Sequence, residues 1–264
     1  MKNLKKSWPR IKEKLGHDDI FLLLLDYDGT LTPIVKRPGL AELSRARFGI
    51  LKKLSKSSGI VLSIISGRML SDIRRKIPLR GVYFVGNHGL EIEGEGKRMT
   101  VPEALRAKKA LRGIKEKVRK KLGRVKGFVI EDKKLTLSFH YRLVRKADLF
   151  QVLEEIEEAI RPYSKKRRIR VTYGKKVIEV RPPVHWNKGH AVLWVLRKTL
   201  KGKGGRKVLP IYMGDDRTDE DAFKALKEKG ITVLVGMGKS RAEYYVADVR
   251  GTYRFLKQIL KVKG

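Results

Sequence analysis

The chain has 264 residues, 41% apolar and 34% charged, enough to bury a substantial core in one or two domains. Lys and Arg number 63 against 28 Asp and Glu, a formal charge of +35 that admits nucleic acid as a candidate partner. Cysteine is absent, which excludes disulfide frameworks, thiolate metal sites and cysteine nucleophiles. The longest apolar run, Ile20 to Leu25, is too short to cross a bilayer, and the opening MKNLKKSWPR lacks the apolar segment of a secretory signal. The expectation is a cytoplasmic protein with no membrane partner.

In chain order, the first fifteen residues read as an added amphipathic helix. Near-continuous apolar runs bounded by turn residues then predict buried strands at Ile20 to Asp26, Ile60 to Ser66, Val82 to Gly86, Leu209 to Gly214 and Ile231 to Val235. Amphipathic segments alternate with them, the pattern of βα units around a mainly parallel sheet. Between about 102 and 184 the pattern changes, and this stretch reads as an inserted domain. One helix carries Ala107, Leu111, Ile114, Val118 and Leu122 on a stripe; a second carries Leu149, Val152, Leu153, Ile156 and Ile160 and is expected to end at Pro162.

The strands of the insert alternate polar and apolar residues, so a period of two sorts them by face. Leu135, Leu137, Phe139 and Tyr141 point one way and Thr136, Ser138, His140 and Arg142 the other; Phe128, Ile130, Ile178 and Val180 join the first set. The opposite face then presents Glu131, Lys133, His140, Arg142, Glu179 and Arg181. Such a face is either simply solvated or a sugar-binding surface. Lys165 to Arg170 (KKRRIR) and Lys201 to Lys207 (KGKGGRK) read as basic loops.

The first strand ends in Asp26, Tyr27, Asp28, Gly29 and Thr30. Alone, this is either an ordinary strand-to-turn transition or a pair of carboxylates set where open α/β sheets bind ligands. Three further strand-end signals follow: Ser66, Gly67 and Arg68; a helix starting at Lys188 after EVRPPVHWNKG; and Gly214, Asp215, Asp216, Arg217, Thr218 and Asp219. Together they bring a hydroxyl, an ammonium and more carboxylates to one sheet edge.

On these blocks the sequence resembles the haloacid dehalogenase superfamily, and within it the trehalose-phosphatase family: DYDGTLTPI, ISGR with Asp72 beyond it, GNHGLEI, IEDKKLTLSFHYR, VIEVRPPVHWNKGHA and YMGDDRTDEDAF stand in that family's order. The resemblance implies a doubly wound, Rossmann-like α/β core from 1 to 101 and 185 to 264, with an inserted α/β cap of the C2 type at 102 to 184 serving as a substrate lid. It implies a Mg²⁺-dependent phosphatase acting on a sugar phosphate, trehalose 6-phosphate first. Asp26 would be the nucleophile and Asp28 the acid and base, as carboxylates can be. Asp26, the Asp28 main-chain carbonyl and Asp215 would hold the metal with hard oxygen donors, while Asp216 and Asp219 support them or cap the loop. Lys188 and Ser66 would hold phosphoryl oxygens. Arg68, Asn87, His88, Glu131, Lys133, Arg142 and Glu179 would contact substrate, although His88 and His140 can equally be structural histidines. Sucrose phosphate, mannosylphosphoglycerate and phosphomannose are the alternative substrates. No specific nucleic-acid partner is expected, because the basic runs lack a nucleic-acid-binding motif.

Overall fold

A computed structural model describes residues 1–13, 19–35, 38–202 and 204–263. The chain opens with β1 (Lys2–Asn3), α1 (Leu4–Glu13), β2 (Ile20–Asp26), α2 (Arg45–Lys56), β3 (Ile60–Ile65), α3 (Leu70–Lys76), β4 (Tyr83–Gly86), β5 (Glu91–Gly94) and β6 (Lys97–Thr100). Next come α4 (Pro102–Arg106), α5 (Lys108–Leu122), β7 (Val129–Asp132), β8 (Leu137–His140), α6 (Leu149–Lys165), β9 (Arg170–Gly174) and β10 (Val177–Arg181). It closes with α7 (Lys188–Lys201), β11 (Val208–Gly214), α8 (Glu220–Leu226), β12 (Ile231–Val235), β13 (Tyr244–Val246) and α9 (Val249–Lys263). Two compact units result, Met1–Met99 with Trp186–Gly264, and Thr100–His185.

The first unit is built on a sheet in the order β1-β13-β12-β11-β2-β3-β4-β5-β6. Its pairs from β1 to β4 are parallel, and β4 with β5 is antiparallel. Every residue of β2 is buried because both sheet faces are covered, which is why its sequence is a continuous apolar run. Phe21, Leu23 and Leu25 pack with Leu51 and Leu54 of α2 and Leu256 and Ile259 of α9. Leu22 and Leu24 pack on the other face with Ala191 and Val195 of α7. The amphipathic N-terminal helix is α1, preceded by a two-residue strand; Lys14 and Leu15 of that expectation lie outside the described residues. Trp8 seats α1 edge-on against Phe255 at 4.9 Å.

The second unit is an antiparallel sheet, β7-β8-β10-β9, with α5 and α6 on one face. Ile130, Phe139 and Ile178 share one register row, and Glu131, Ser138 and Glu179 the next. The structure corrects five details. Strand β8 stops at His140, so Tyr141 and Arg142 fall in the following turn and Arg142 is not on the polar strand face. Thr136 and Ser138 are buried, so that face is not uniformly open. Helix α6 runs through Pro162 to Lys165. A proline this near a helix end forfeits one backbone bond, and Tyr163 beyond it anchors the last turn in the apolar core, its hydroxyl lying where a side chain on Gly113 would otherwise sit. The supposed loop Lys165 to Arg170 therefore begins as helix and ends as strand β9, pinned by buried Ile169. The second basic run likewise starts on α7 at Lys201, and its Lys203 lies outside the described residues.

Candidate active site

The site grows from the carboxyl ends of four neighbouring parallel strands, β11, β2, β3 and β4. Met213 pairs with Leu25, Asp26 with Ile65, and Ile65 with Val85, so Gly214, Asp26, Ile65 and Val85 form one row. The order in which successive strands join the sheet reverses between β2 and β11, although the strands stay parallel, and this is the crevice where open α/β sheets collect ligands. Beyond the row the backbone delivers Asp28, Ser66, Asn87 and Asp215.

Lys188 lies at the centre. Asn187 caps α7 by accepting from the His190 amide, which fixes where the helix starts and so where Lys188 stands. Its buried ammonium donates to Asp26 Oδ1 and Asp219 Oδ1, both at 2.7 Å. Burial opposes the Lys188 charge, but Asp219 and Asp26 outweigh it and raise its pKa well above the ordinary lysine value. Asp26 is also pushed up, first by burial and then by the charges of Asp219 and Asp215, with Lys188 pulling the other way. Four aspartates surround one lysine, so the pocket holds excess negative charge.

Asp219 organises the loop around it. Its Oδ1 also accepts from the Tyr212 hydroxyl at 2.6 Å, and its Oδ2 accepts the amides of Asp215 and Asp216 at 3.0 Å each. Both oxygens are thus spent on holding Lys188 and the Asp215 loop. Asp215 projects over Gly29, whose φ of 85° and missing side chain make room; a Cβ there would stand 2.0 Å from Asp215 Oδ2. The Thr30 hydroxyl donates to Asp215 Oδ1 at 3.1 Å.

One carboxylate oxygen from each of Asp26, Asp215 and Asp219 lies within 4.8 Å of the others. All are hard oxygen donors of the kind Mg²⁺ takes. Burial and the Asp219 and Asp216 charges push Asp215 up to about 7, crowding that a divalent cation relieves. Because Asp219 is fully engaged, Asp26 and Asp215 are the donors left open.

Arg68 and Asp28 form the other half of the rim. Arg68 grips Asp28 with two bonds of 2.7 and 2.6 Å, reaches Asp72 at 3.1 Å, and lies over the Tyr27 ring at 5.3 Å. Arg68 is buried, whereas the Asp28 side chain remains 43% exposed. The Ser66 hydroxyl is buried and accepts the Arg68 amide at 3.1 Å. Asn87 and His88 occupy left-handed backbone, φ 49° and 56°, tied down by Asn87 N to Arg68 O at 2.6 Å and His88 N to Ser66 O at 3.1 Å. Asn87 is fully buried with its side-chain amide donating to Glu91 at 2.7 Å, while the His88 ring packs against Gly67.

In the second unit, Glu131, Lys133 and Glu179 form a charged chain, Lys133 Nζ lying 3.7 Å from Glu131 and 3.6 Å from Glu179. His140 meets Glu131 at 2.9 Å, and Arg181 donates to Glu179 at 2.8 Å. Arg142 stands apart in its turn, donating to the Lys175 carbonyl at 3.3 Å.

Sequence reasoning missed Tyr212, Thr30 and the engagement of Arg68 by Asp28 and Asp72. Asp219 had a usable signal: four residues after Asp215, it sits one helical turn on, where a carboxylate can return to the loop amides. Tyr212 had none, since buried tyrosines are ordinary strand residues.

The trehalose-phosphatase family model matches residues 24–250. The chain is 34% identical over 255 residues to probable trehalose-phosphate phosphatase D of Arabidopsis thaliana, covering 92% of this chain and 68% of that protein. A solved structure described as a trehalose-6-phosphate phosphatase related protein superposes with a TM-score of 0.75 at 29% identity, covering 91% of this chain and 97% of that one. A haloacid dehalogenase-like hydrolase from Bacteroides thetaiotaomicron shares the fold, with a TM-score of 0.62 at 18% identity over 91% of this chain and all of that one. The chain belongs to the trehalose-phosphatase family and is a phosphomonoester hydrolase.

Proposed function

We propose that the protein hydrolyses trehalose 6-phosphate to trehalose and inorganic phosphate, through a phosphoryl group carried on Asp26 and with Mg²⁺ as cofactor. The carrying observation is Lys188, whose ammonium clamps Asp26 and Asp219 at 2.7 Å each and holds the Asp26 carboxylate in one orientation. An oxygen of Asp26 attacks phosphorus in line, forming one P–O bond as the bond to the sugar oxygen breaks. Asp28 gives that oxygen a proton and afterwards takes one from the water that releases phosphate. Its open side supports this role, and the two bonds from Arg68 fix where it stands.

Mg²⁺ would be held by Asp26, Asp215 and the main-chain carbonyl of Asp28, and when bound it offsets the repulsion between carboxylate and phosphate. Lys188 and Ser66 hold phosphoryl oxygens. His88, with Asn87 and Arg68 beneath it, borders the leaving sugar. Glu131, Lys133, Glu179 and Arg142 act as the sugar contacts of a lid, their carboxylates accepting sugar hydroxyls. The sugar's identity rests on the names of the relatives.

Phosphate release across trehalose 6-phosphate, sucrose 6-phosphate, mannosylphosphoglycerate and mannose phosphate, with and without Mg²⁺, tests this reading. Trehalose 6-phosphate should lead and chelation should abolish release. Preference for another ester defeats the substrate assignment. Asp26→Asn should lose turnover with its circular dichroism unchanged; persistent turnover removes Asp26 as nucleophile.

A further inference from the structure

The second unit carries an open groove of about 870 Å³ between α6, β9 and the segment Pro183 to His185, within the size range of small-molecule sites. Arg161, Lys165, Arg167, Arg170 and His185 line it, over a floor that includes buried Ile160 and Ile169. The four Arg and Lys groups make no ion pair and no side-chain hydrogen bond among the described residues. Cations elsewhere on the same unit do: Lys115, Lys117 and Lys121 of α5 pair with Asp132, Glu158 and Glu155 at 2.9, 2.8 and 3.2 Å. Glu155 and Glu158 of α6 are thus directed to α5, and the groove's own carboxylate, Glu157, accepts the Tyr173 hydroxyl at 2.6 Å.

A helix C-terminus attracts cations, which accounts for Lys165 and Arg167 in or just beyond the last turn. It does not account for Arg161, one turn earlier, for Arg170 on β9, or for His185 on a third segment. Arg167 also holds a left-handed backbone, φ 51°, where Gly or Asn is the usual helix terminator. The arginine stands there at a conformational cost and lines the groove.

We propose that this groove binds a small molecule carrying two or more phosphate groups, at a site separate from the phosphoester centre. Guanidinium groups recognise phosphate oxygens in pairs, the apolar floor accepts a carbon framework, and the exposed Tyr173 ring walls one side. Since the groove reaches His185, at the end of the inserted unit, an occupant would order the segment through which the chain leaves that unit.

The probe is inorganic tripolyphosphate, titrated calorimetrically at 150 mM salt into the full chain, with hydrogen exchange locating the contact. Saturable binding that protects residues 160–173 and 183–185 is expected. Arg161→Ala with Arg170→Ala should weaken it tenfold or more. Lys53→Ala with Lys56→Ala, exposed on α2 and equal in charge change, should leave it unaltered. Equal weakening in both pairs would reduce the effect to net charge. Protection confined to residues 26–32, 66–68 and 214–219 would place the probe in the phosphoester centre alone. Tighter binding of a twelve-residue oligothymidylate than of tripolyphosphate would reassign the groove to nucleic acid. Each of these three results overturns the proposal.

Discussion

At Gly29 the left-handed backbone and the missing side chain serve one end, the approach of Asp215 to the rim of β2. Gly29→Ala puts a methyl 2.0 Å from Asp215 Oδ2 in a conformation that L-residues resist, so the loop must retreat. The Mg²⁺ concentration for half-maximal activity should rise about tenfold or more, as when the support of a metal ligand is disturbed. An unchanged Mg²⁺ dependence would show that Asp215 does not need this passage. Arg68 is the complementary case. It holds Asp28 and Asp72, so Arg68→Ala should lower kcat by about 10² or more while KM moves less than about threefold, the signature of a misplaced proton donor. Arg68→Lys should recover only part, since an ammonium cannot make the forked pair. A loss residing in KM would instead support the direct substrate contact that the family resemblance implies.

Among the elements, the strands of the core were readable because burial on both faces leaves them apolar throughout, as in the seven residues of β2. The start of α7 was readable too, since Asn187 is a cap and the stripe from Ala191 follows. What escaped was set by distant partners. Strand β1 is two residues whose pairing depends on Tyr244 and Tyr245 at the far end of the chain, and β9 is a short edge strand of mixed polarity. Pro162 misled because its local preference is overridden by the packing of Tyr163. At the site, Asp26, Asp28, Ser66, Lys188 and Asp215 could be named from spacing and resemblance. Their partners could not, because Tyr212 and the Arg68 fork are facts of proximity. The insert's own core sets a stability expectation. Phe139 is fully buried between α5, α6 and the sheet, so Phe139→Ala should destabilise the inserted unit by about 3–5 kcal/mol. Chemical unfolding followed by hydrogen exchange over residues 100–185 measures this, and a loss under about 1 kcal/mol would mean the packing there is loose.

For the whole molecule, the acidic site couples stability to pH and to cation. Asp215 has a pKa of about 7 in the folded state against an ordinary 3.8, so its contribution to stability is complete below about pH 4 and is lost as pH rises through 7. Asp26 acts in the same direction. Lys188, raised above its ordinary value, contributes throughout this window and falters only in strong alkali. A cation bound to ionised Asp26 and Asp215 therefore restores most where the protein alone loses most. The Tm gain from Mg²⁺ should be larger at pH 8 than at pH 5.5 by several degrees, given about 2–4 °C per kcal/mol for a protein of this size. Equal gains at the two pH values would mean that the cation binds elsewhere.

The short strand β1 closes the flank of the large sheet by lying beside β13, while Leu4 and Trp8 plug the space behind it. Proteolytic loss of the first thirteen residues would move the sheet edge to β13 and uncover the apolar surface that Leu4 and Trp8 now bury, an exposed patch that invites self-association. Those few residues thus cover an apolar flank as well as add a strand to the sheet.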